Sequence, residues 1–251
     1  ILPASIIGSV YVALDKIFLI NYISLEKLGI YTLASAIAST INFISMGYYR
    51  AVEPAIYEDY KTEKFIQNVN NTSFFLLITM TIASIVITVF SQELLRIFFH
   101  PSFYETSNLV GFFLIVFIIN GQKRIFNTVL HAFKVTKFDF IISLIGMGAF
   151  IIAFILLVPI YGEYGAIASL ICGSFTSFIA LIILVSNFAK IKSYIFHLLM
   201  FSLIIISLSL MFHSDLFDSY EMIIFSKLLI VLVSSGIGFI YLRSHPDLLP
   251  K

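Results

Sequence analysis

Long apolar runs alternate with short polar connections along the whole chain. A membrane-spanning helix needs about 20 mostly apolar residues. Eight runs satisfy this: Leu2–Tyr22, Ile30–Tyr49, Val69–Phe90, Asn108–Ala132, Phe140–Val158, Tyr164–Phe188, Ile195–Phe212 and Met222–Leu242. Seven are plain. The fourth is apolar over Leu109–Asn120, is interrupted by Gly121-Gln122-Lys123-Arg124, and resumes over Ile125–Phe133. A 12-residue span is too short to cross a bilayer, so the pattern predicts one long helix with a charged middle.

The connections are brief, and their charges are unevenly shared. The odd-numbered ones, Asn21–Gly29, Ser91–Ser107, Pro159–Glu163 and His213–Glu221, carry two basic residues, Lys27 and Arg96. The even-numbered ones, with the tail Arg243–Lys251, carry nine: Arg50, Lys61, Lys64, Lys134, Lys137, Lys190, Lys192, Arg243 and Lys251. Short cytoplasmic loops are enriched in Lys and Arg, so this bias predicts that the even connections and both ends of the chain are cytoplasmic. Lys227, near the outer start of the last run, is expected to snorkel outward.

Composition narrows the class further. Sixty per cent of the 251 residues are hydrophobic and 12% are charged, with mean hydropathy +1.03. Soluble domains carry roughly 25% charged residues, so too little polar surface remains for a water-facing globule. The expected fold is therefore all-α and polytopic. A net charge of +1 gives no field suited to nucleic acid, and the single cysteine, Cys172, excludes an internal disulfide. The chain opens at Ile1 inside an apolar run, without a charged n-region or a small-residue cleavage site, which argues against a signal peptide. It is expected to be a fragment of a longer protein whose N-terminal part is missing. The carboxylates are scattered, and no nucleophile motif, phosphate loop or metal-ligand cluster stands out, so neither an enzyme nor a cofactor is expected.

Charges at membrane depth are the candidate chemistry. A charged side chain at the bilayer centre costs at least about 2.5–3.5 kcal/mol. Asp15 and Lys16 sit together in the first run, Lys123 and Arg124 interrupt the fourth, and Arg50 follows Tyr49 near the end of the second. Lys123 and Arg124 are adjacent, so they point about 100° apart, and Gly121 permits a kink or a close backbone approach beside them. Asp15 has two readings: an ion pair with a cation on another helix, or a carboxylate that titrates. Tyr11, Phe18 and Tyr22 extend an aromatic stripe along the same helix, suited to packing or to stacking against sugars. Gly165, Ser169 and Gly173, like Ser5, Ser9 and Ala13, recur every four residues and suit close helix packing. His100 and His245 precede prolines at run ends, where a capping or loop role is expected.

Three stretches carry a family resemblance. Leu2-Pro3, then Asp15-Lys16, then Gly29-Ile30-Tyr31 form the first, and Glu53-Pro54-Ala55-Ile56-Tyr57-Glu58 the second. The third is Val158-Pro159-Ile160-Tyr161-Gly162-Glu163-Tyr164-Gly165-Ala166-Ile167-Ala168-Ser169. In order and spacing they resemble the C-terminal half of bacterial polysaccharide flippases, the Wzx-type exporters of O-antigen and related glycans within the multidrug/oligosaccharidyl-lipid/polysaccharide exporter superfamily. Ile167 and Ser169 depart mildly from the family's turn pattern.

The resemblance implies the second lobe of a two-lobe, alternating-access transporter in the bacterial inner membrane. Residues 1–188 would form the six-helix lobe, and residues 189–251 two additional helices and a cytoplasmic tail. The N-terminal lobe of the same chain would be the partner lobe. The implied cargo is an undecaprenyl-pyrophosphate-linked oligosaccharide, moved from the cytoplasmic to the periplasmic leaflet. Lys123, Arg124, Lys16 and Arg50 would bind the pyrophosphate, and Asp15 would couple transport to a proton or sodium ion. The rival within the superfamily is a drug or metabolite/cation antiporter, favoured by an acidic or aromatic cavity. A glycan-polymerising enzyme would need a large outer loop, and a scaffold would leave the buried charges unexplained.

Overall fold

The structure is a computed structural model that describes residues 15–58, 62–135, 137–188 and 195–213, together with Lys227, Ile230, Val231 and Ser234. Residues Leu2–Leu14, with Tyr11 and the Ser5/Ser9/Ala13 face, lie outside the described residues, as does most of the eighth run.

All described elements are helical. Residues 15–19 form a helical segment. It is followed by α1 (Leu25–Ser39), α2 (Asn42–Glu58), α3 (Glu63–Phe98), a 3-10 turn (Pro101–Thr106), α4 (Ser107–Ala132), α5 (Lys137–Ser186) and α6 (Ile195–His213). Among the described residues, four helical runs are long and apolar enough to cross a membrane: Leu25–Glu58, Lys64–Phe98, Pro101–Ala132 and Lys137–Ser186. The first is α1 and α2 joined across Thr40 and Ile41, where the backbone tightens into bonds such as Thr40 N–H to Ile37 O. The helices extend past the apolar runs at their ends; α3 has 36 residues.

Local chemistry sets several boundaries. Ser24 caps α1 by accepting a hydrogen bond from Lys27 N, with Glu26 in the first turn to complement the helix dipole. His100 accepts from Ser102 N and Pro101 opens the 3-10 turn, so His100 has the capping role expected of it. At the far end of α4, Lys134 takes φ 59°, Lys134 N donates to His131 O, and Val135 N donates to Leu130 O. That pair of bonds is the Schellman arrangement, which usually places glycine where Lys134 sits.

α5 is two antiparallel arms. Gly162 adopts φ 55° and ψ −126°, outside the helical region, three residues after Pro159. A Cβ built on Gly165 would collide with Leu157 O, and one on Gly146 would stand 2.7 Å from Ser177 Cβ. An unbroken helix would hold Gly146 and Ser177 about 46 Å apart at ~1.5 Å per residue. The chain therefore folds back on itself at Pro159–Glu163, where the sequence predicts a turn. Gly165, Ser169 and Gly173 are all buried, and Gly173 O lies beside Gly146, as a small-residue packing face requires.

The connections sort to two ends. Lys27 is ion-paired with Glu163 at 3.0 Å, and a Cβ on Gly29 would touch Phe103, which brings three odd-numbered connections together. At the other end, His131 pairs with Asp139, and Phe133 lies against both Phe65 and Phe188. We call this second end, where Lys64, Lys134 and Lys137 lie, the basic end.

α4 is the hub. It packs against α1, α2, α3, α5 and α6. Gly121 makes the closest approach, since a Cβ there would stand 2.5 Å from Met80 Sδ and 3.2 Å from Ser45 Oγ. The outer faces are apolar: Ile151, Ile152, Ile155 and Leu156 on the first arm of α5 are all exposed. Such a surface suits hydrocarbon rather than water, so the helices are consistent with a membrane protein.

Candidate functional site

The charged middle of α4 stays helical. Gln122, Lys123 and Arg124 are consecutive, so each addresses a different neighbour. Gln122 is buried and exchanges two hydrogen bonds with Ser73 of α3: Ser73 Oγ donates to Gln122 Oε1 at 2.6 Å, and Gln122 Nε2 donates to Ser73 O at 3.1 Å. Lys123 Nζ donates to Ser177 Oγ on the second arm of α5 at 2.7 Å. Ser177 in turn donates to Ser174 O at 2.9 Å, so its lone pairs face the ammonium. Arg124 points toward α2, within electrostatic reach of Tyr49.

α2 contributes an acidic and aromatic group. Tyr49, Glu53 and Tyr57 are one turn apart each, on one helix face. The hydroxyls of Tyr49 and Tyr57 both donate to Glu53 Oε1, at 2.6 and 3.2 Å. Arg50, one residue beyond Tyr49, is exposed and belongs to a different face of α2.

Further along α4, Asn127 and His131 continue the Lys123 face at four-residue intervals. His131 Nε2 lies 2.8 Å from Asp139 Oδ2 in the first turn of α5. Glu53 of α2 also acts electrostatically on His131, and Asp139 acts on Lys123. Opposite charges thus alternate from α2 through α4 to α5.

Asp15 and Lys16 form a separate site. Asp15 is 2% exposed. It accepts from Tyr31 Oη of α1 at 2.8 Å and from Lys16 N at 2.8 Å, with Lys16 Nζ 3.6 Å away. The Tyr31 ring packs edge-on against Phe113, with centroids 4.9 Å apart. Phe113 precedes Lys123 by almost three turns of α4. At ~1.5 Å of rise per residue that is about 15 Å along the helix, so the two pairs of charges lie at different depths. Phe18 and Tyr22 pack on Phe154 of α5, which gives the described part of the aromatic stripe a packing role.

Lys227 corrects the sequence expectation. Its side chain is 1% exposed, and its Nζ donates to both carboxylate oxygens of Glu93, at 2.8 and 3.0 Å. It is buried in an ion pair with α3 and does not snorkel outward. Among the described residues no group of three or more His, Cys, Asp or Glu side chains is placed to hold a metal ion.

The sequence singles out Lys123, Arg124, Asp15 and Lys16, but not Glu53, Asn127, His131, Asp139 or Ser177 as site residues. The signal that could find them is spacing: Tyr49, Glu53 and Tyr57, like Lys123, Asn127 and His131, recur every four residues. Comparison of the chain with protein-family models, with curated proteins and with solved structures gave no match.

Proposed function

We propose that the chain is the second lobe of a polysaccharide lipid flippase. In this reading it moves an undecaprenyl-pyrophosphate-linked oligosaccharide across the bacterial inner membrane, with the basic end in the cytoplasm. The motifs over Leu2–Ser169 supply the family; the side chains supply the chemistry. The observation that carries it is Lys123, an amine midway along the hub helix whose described hydrogen bond runs to a neutral hydroxyl. A phosphate oxygen is a stronger, charge-assisted acceptor than Ser177 and can displace it. Arg124 adds a planar donor on the α2 side. Eight spans, with a partner lobe preceding this one, complete the proposed transporter.

Asp15 is held by Tyr31 and by the Lys16 amide, which favours its structural role over its role as coupling carboxylate. Lys16 and Arg50 lie apart from Lys123 and Arg124, so in this reading they meet cargo at other stages of its passage.

The test is a Lys123→Ala, Arg124→Ala double variant of the full-length protein. Surface glycan is lost while the protein still inserts at normal abundance. Unchanged surface glycan would remove the assignment. The Tyr49–Glu53–Tyr57 cluster favours the rival reading, a cation antiporter, because a carboxylate ringed by aromatics suits an organic cation. That rival predicts drug export that survives the double variant and fails on Glu53→Gln.

A further inference from the structure

Among the described residues, three buried oxygen atoms along the contact between α4 and α5 have no hydrogen-bond partner: Ser174 Oγ, Asn127 Oδ1 and Asp139 Oδ1. Ser174 is 3% exposed. Buried polar atoms without partners are rare, and each calls for an account. Their order along the contact supplies one. Ser174 precedes Ser177 by one turn, and Ser177 holds Lys123. Asn127 follows Lys123 by one turn, and His131, paired with Asp139, follows Asn127 by another. Each step is about 4.5–6 Å of rise, the span that one bridging water covers with a hydrogen bond at either end. A buried water needs two to four polar partners, and every step here offers them. The lower end is open: the His131 and Asp139 side chains are 33% and 17% exposed.

We propose that the contact between α4 and the folded-back α5 is a hydrated proton path joining Lys123 to the basic end of the protein. Water bridges Lys123 to Asn127, and Asn127 to the His131–Asp139 pair. The Lys123 ammonium gives one proton to the bridging water and becomes a neutral amine. That water passes a proton directly to the second water, both of them held by Asn127 Oδ1, which only accepts hydrogen bonds and never carries the proton; the imidazole or carboxylate at the open end receives it from the second water and releases it to bulk solvent. The return is the reverse, and only N–H and O–H bonds change. The charged group acting on Lys123 is Asp139 from α5. The groups facing His131 are Asp139 from α5 and Glu53 from α2, so the exit is flanked by two acceptors. The path deepens the flippase reading, on which it rests for the cargo alone, by setting the charge of Lys123 from the basic side. Lys123 is then charged when it takes the pyrophosphate and neutral when it releases it.

Cyanate tests this directly, because it carbamylates only the neutral form of an amine and is small enough to follow water. The full-length protein is reconstituted in vesicles with different pH on the two sides, and labelling of each lysine is read by mass spectrometry. Labelling of Lys123 follows the pH of the basic side and is unchanged by the pH of the other. In Asn127→Leu it slows at least tenfold, while Lys64 and Lys134 label as before; Asn127→Ser retains most of the wild-type rate. Lys227, buried against Glu93, stays unlabelled throughout. The proposal is overturned if Lys123 resists cyanate under conditions that label Lys64, if its rate follows the other side's pH, or if Asn127→Leu labels as fast as wild type. The wild-type sidedness stands alone should Asn127→Leu fail to fold. No glycan is used, so failure here leaves the surface-glycan result intact, and the converse holds.

Discussion

Gly146 and Ser177 are in contact across the two arms of α5: a Cβ on Gly146 would stand 2.7 Å from the Ser177 Cβ and 3.0 Å from Gly173 O. The glycine thus sets how near Ser177 comes to the first arm, and Ser177 holds Lys123. Gly146→Val is expected to push the arms apart, costing about 1–3 kcal/mol as overpacking does. Thermal unfolding in detergent measures it. A wild-type midpoint would show that the arms are not packed at this point.

Glycines along these helices differ in what surrounds them, and the differences rank the variants. A Cβ on Gly165 meets the backbone of Leu157, whereas one on Gly121 meets the flexible end of Met80. Gly165→Ala should therefore destabilise more than Gly121→Ala, where Met80 swings aside. Equal losses of thermal stability would refute the ranking.

Among the described residues two positions have positive φ, and they predict opposite effects. Gly162 sits at φ 55° and ψ −126°, a region closed to residues with a Cβ. Gly162→Ala should therefore cost about 1–3 kcal/mol through backbone strain alone. Lys134 already sits at φ 59°, in the Schellman position. Lys134→Gly should be neutral or stabilise by up to about 1 kcal/mol, because glycine carries no penalty in the left-handed region. Matched melting curves of the two variants check both signs.

The Asp15–Tyr31 bond predicts a coupling energy. The tyrosine hydroxyl donates to Asp15 Oδ2 at 2.8 Å. Tyr31→Phe removes it and leaves a buried carboxylate oxygen short of a donor, at an expected cost of about 1–3 kcal/mol. In an Asp15→Leu background the same change should cost much less. A double-mutant cycle isolates the pair; additive effects would mean that this contact contributes nothing to stability.

These features differ in how far the sequence discloses them. The single long α4 is legible because a 12-residue apolar run cannot cross a bilayer and the flanking pattern continues. The α5 turn is legible because Pro159, Gly162 and Gly165 fall where two spans must reverse. Partners on other helices are not. His131–Asp139 joins two helices, and Tyr49, Glu53 and Tyr57 look like an ordinary amphipathic helix end until α4 lies beside them. Helices this apolar show little contrast between faces, so periodicity does not say which side meets a neighbour. Helix lengths are also understated, because hydropathy detects the hydrocarbon-matched part of α3 and not its polar ends.

Lys227 shows the same limit, and its partner makes the last prediction. Read alone, a lysine near the end of a span belongs at the interface. Glu93 holds it inside, at 2.8 and 3.0 Å from the two carboxylate oxygens. A buried pair is costly to break from one side, because the remaining charge keeps its desolvation penalty and loses its counter-charge. Lys227→Met should destabilise by about 3–5 kcal/mol. Adding Glu93→Leu removes the stranded carboxylate, and most of the loss should return. If the double variant is as unstable as Lys227→Met alone, the penalty comes from lost packing around the lysine stem, and the ion pair is not what anchors the last run to α3.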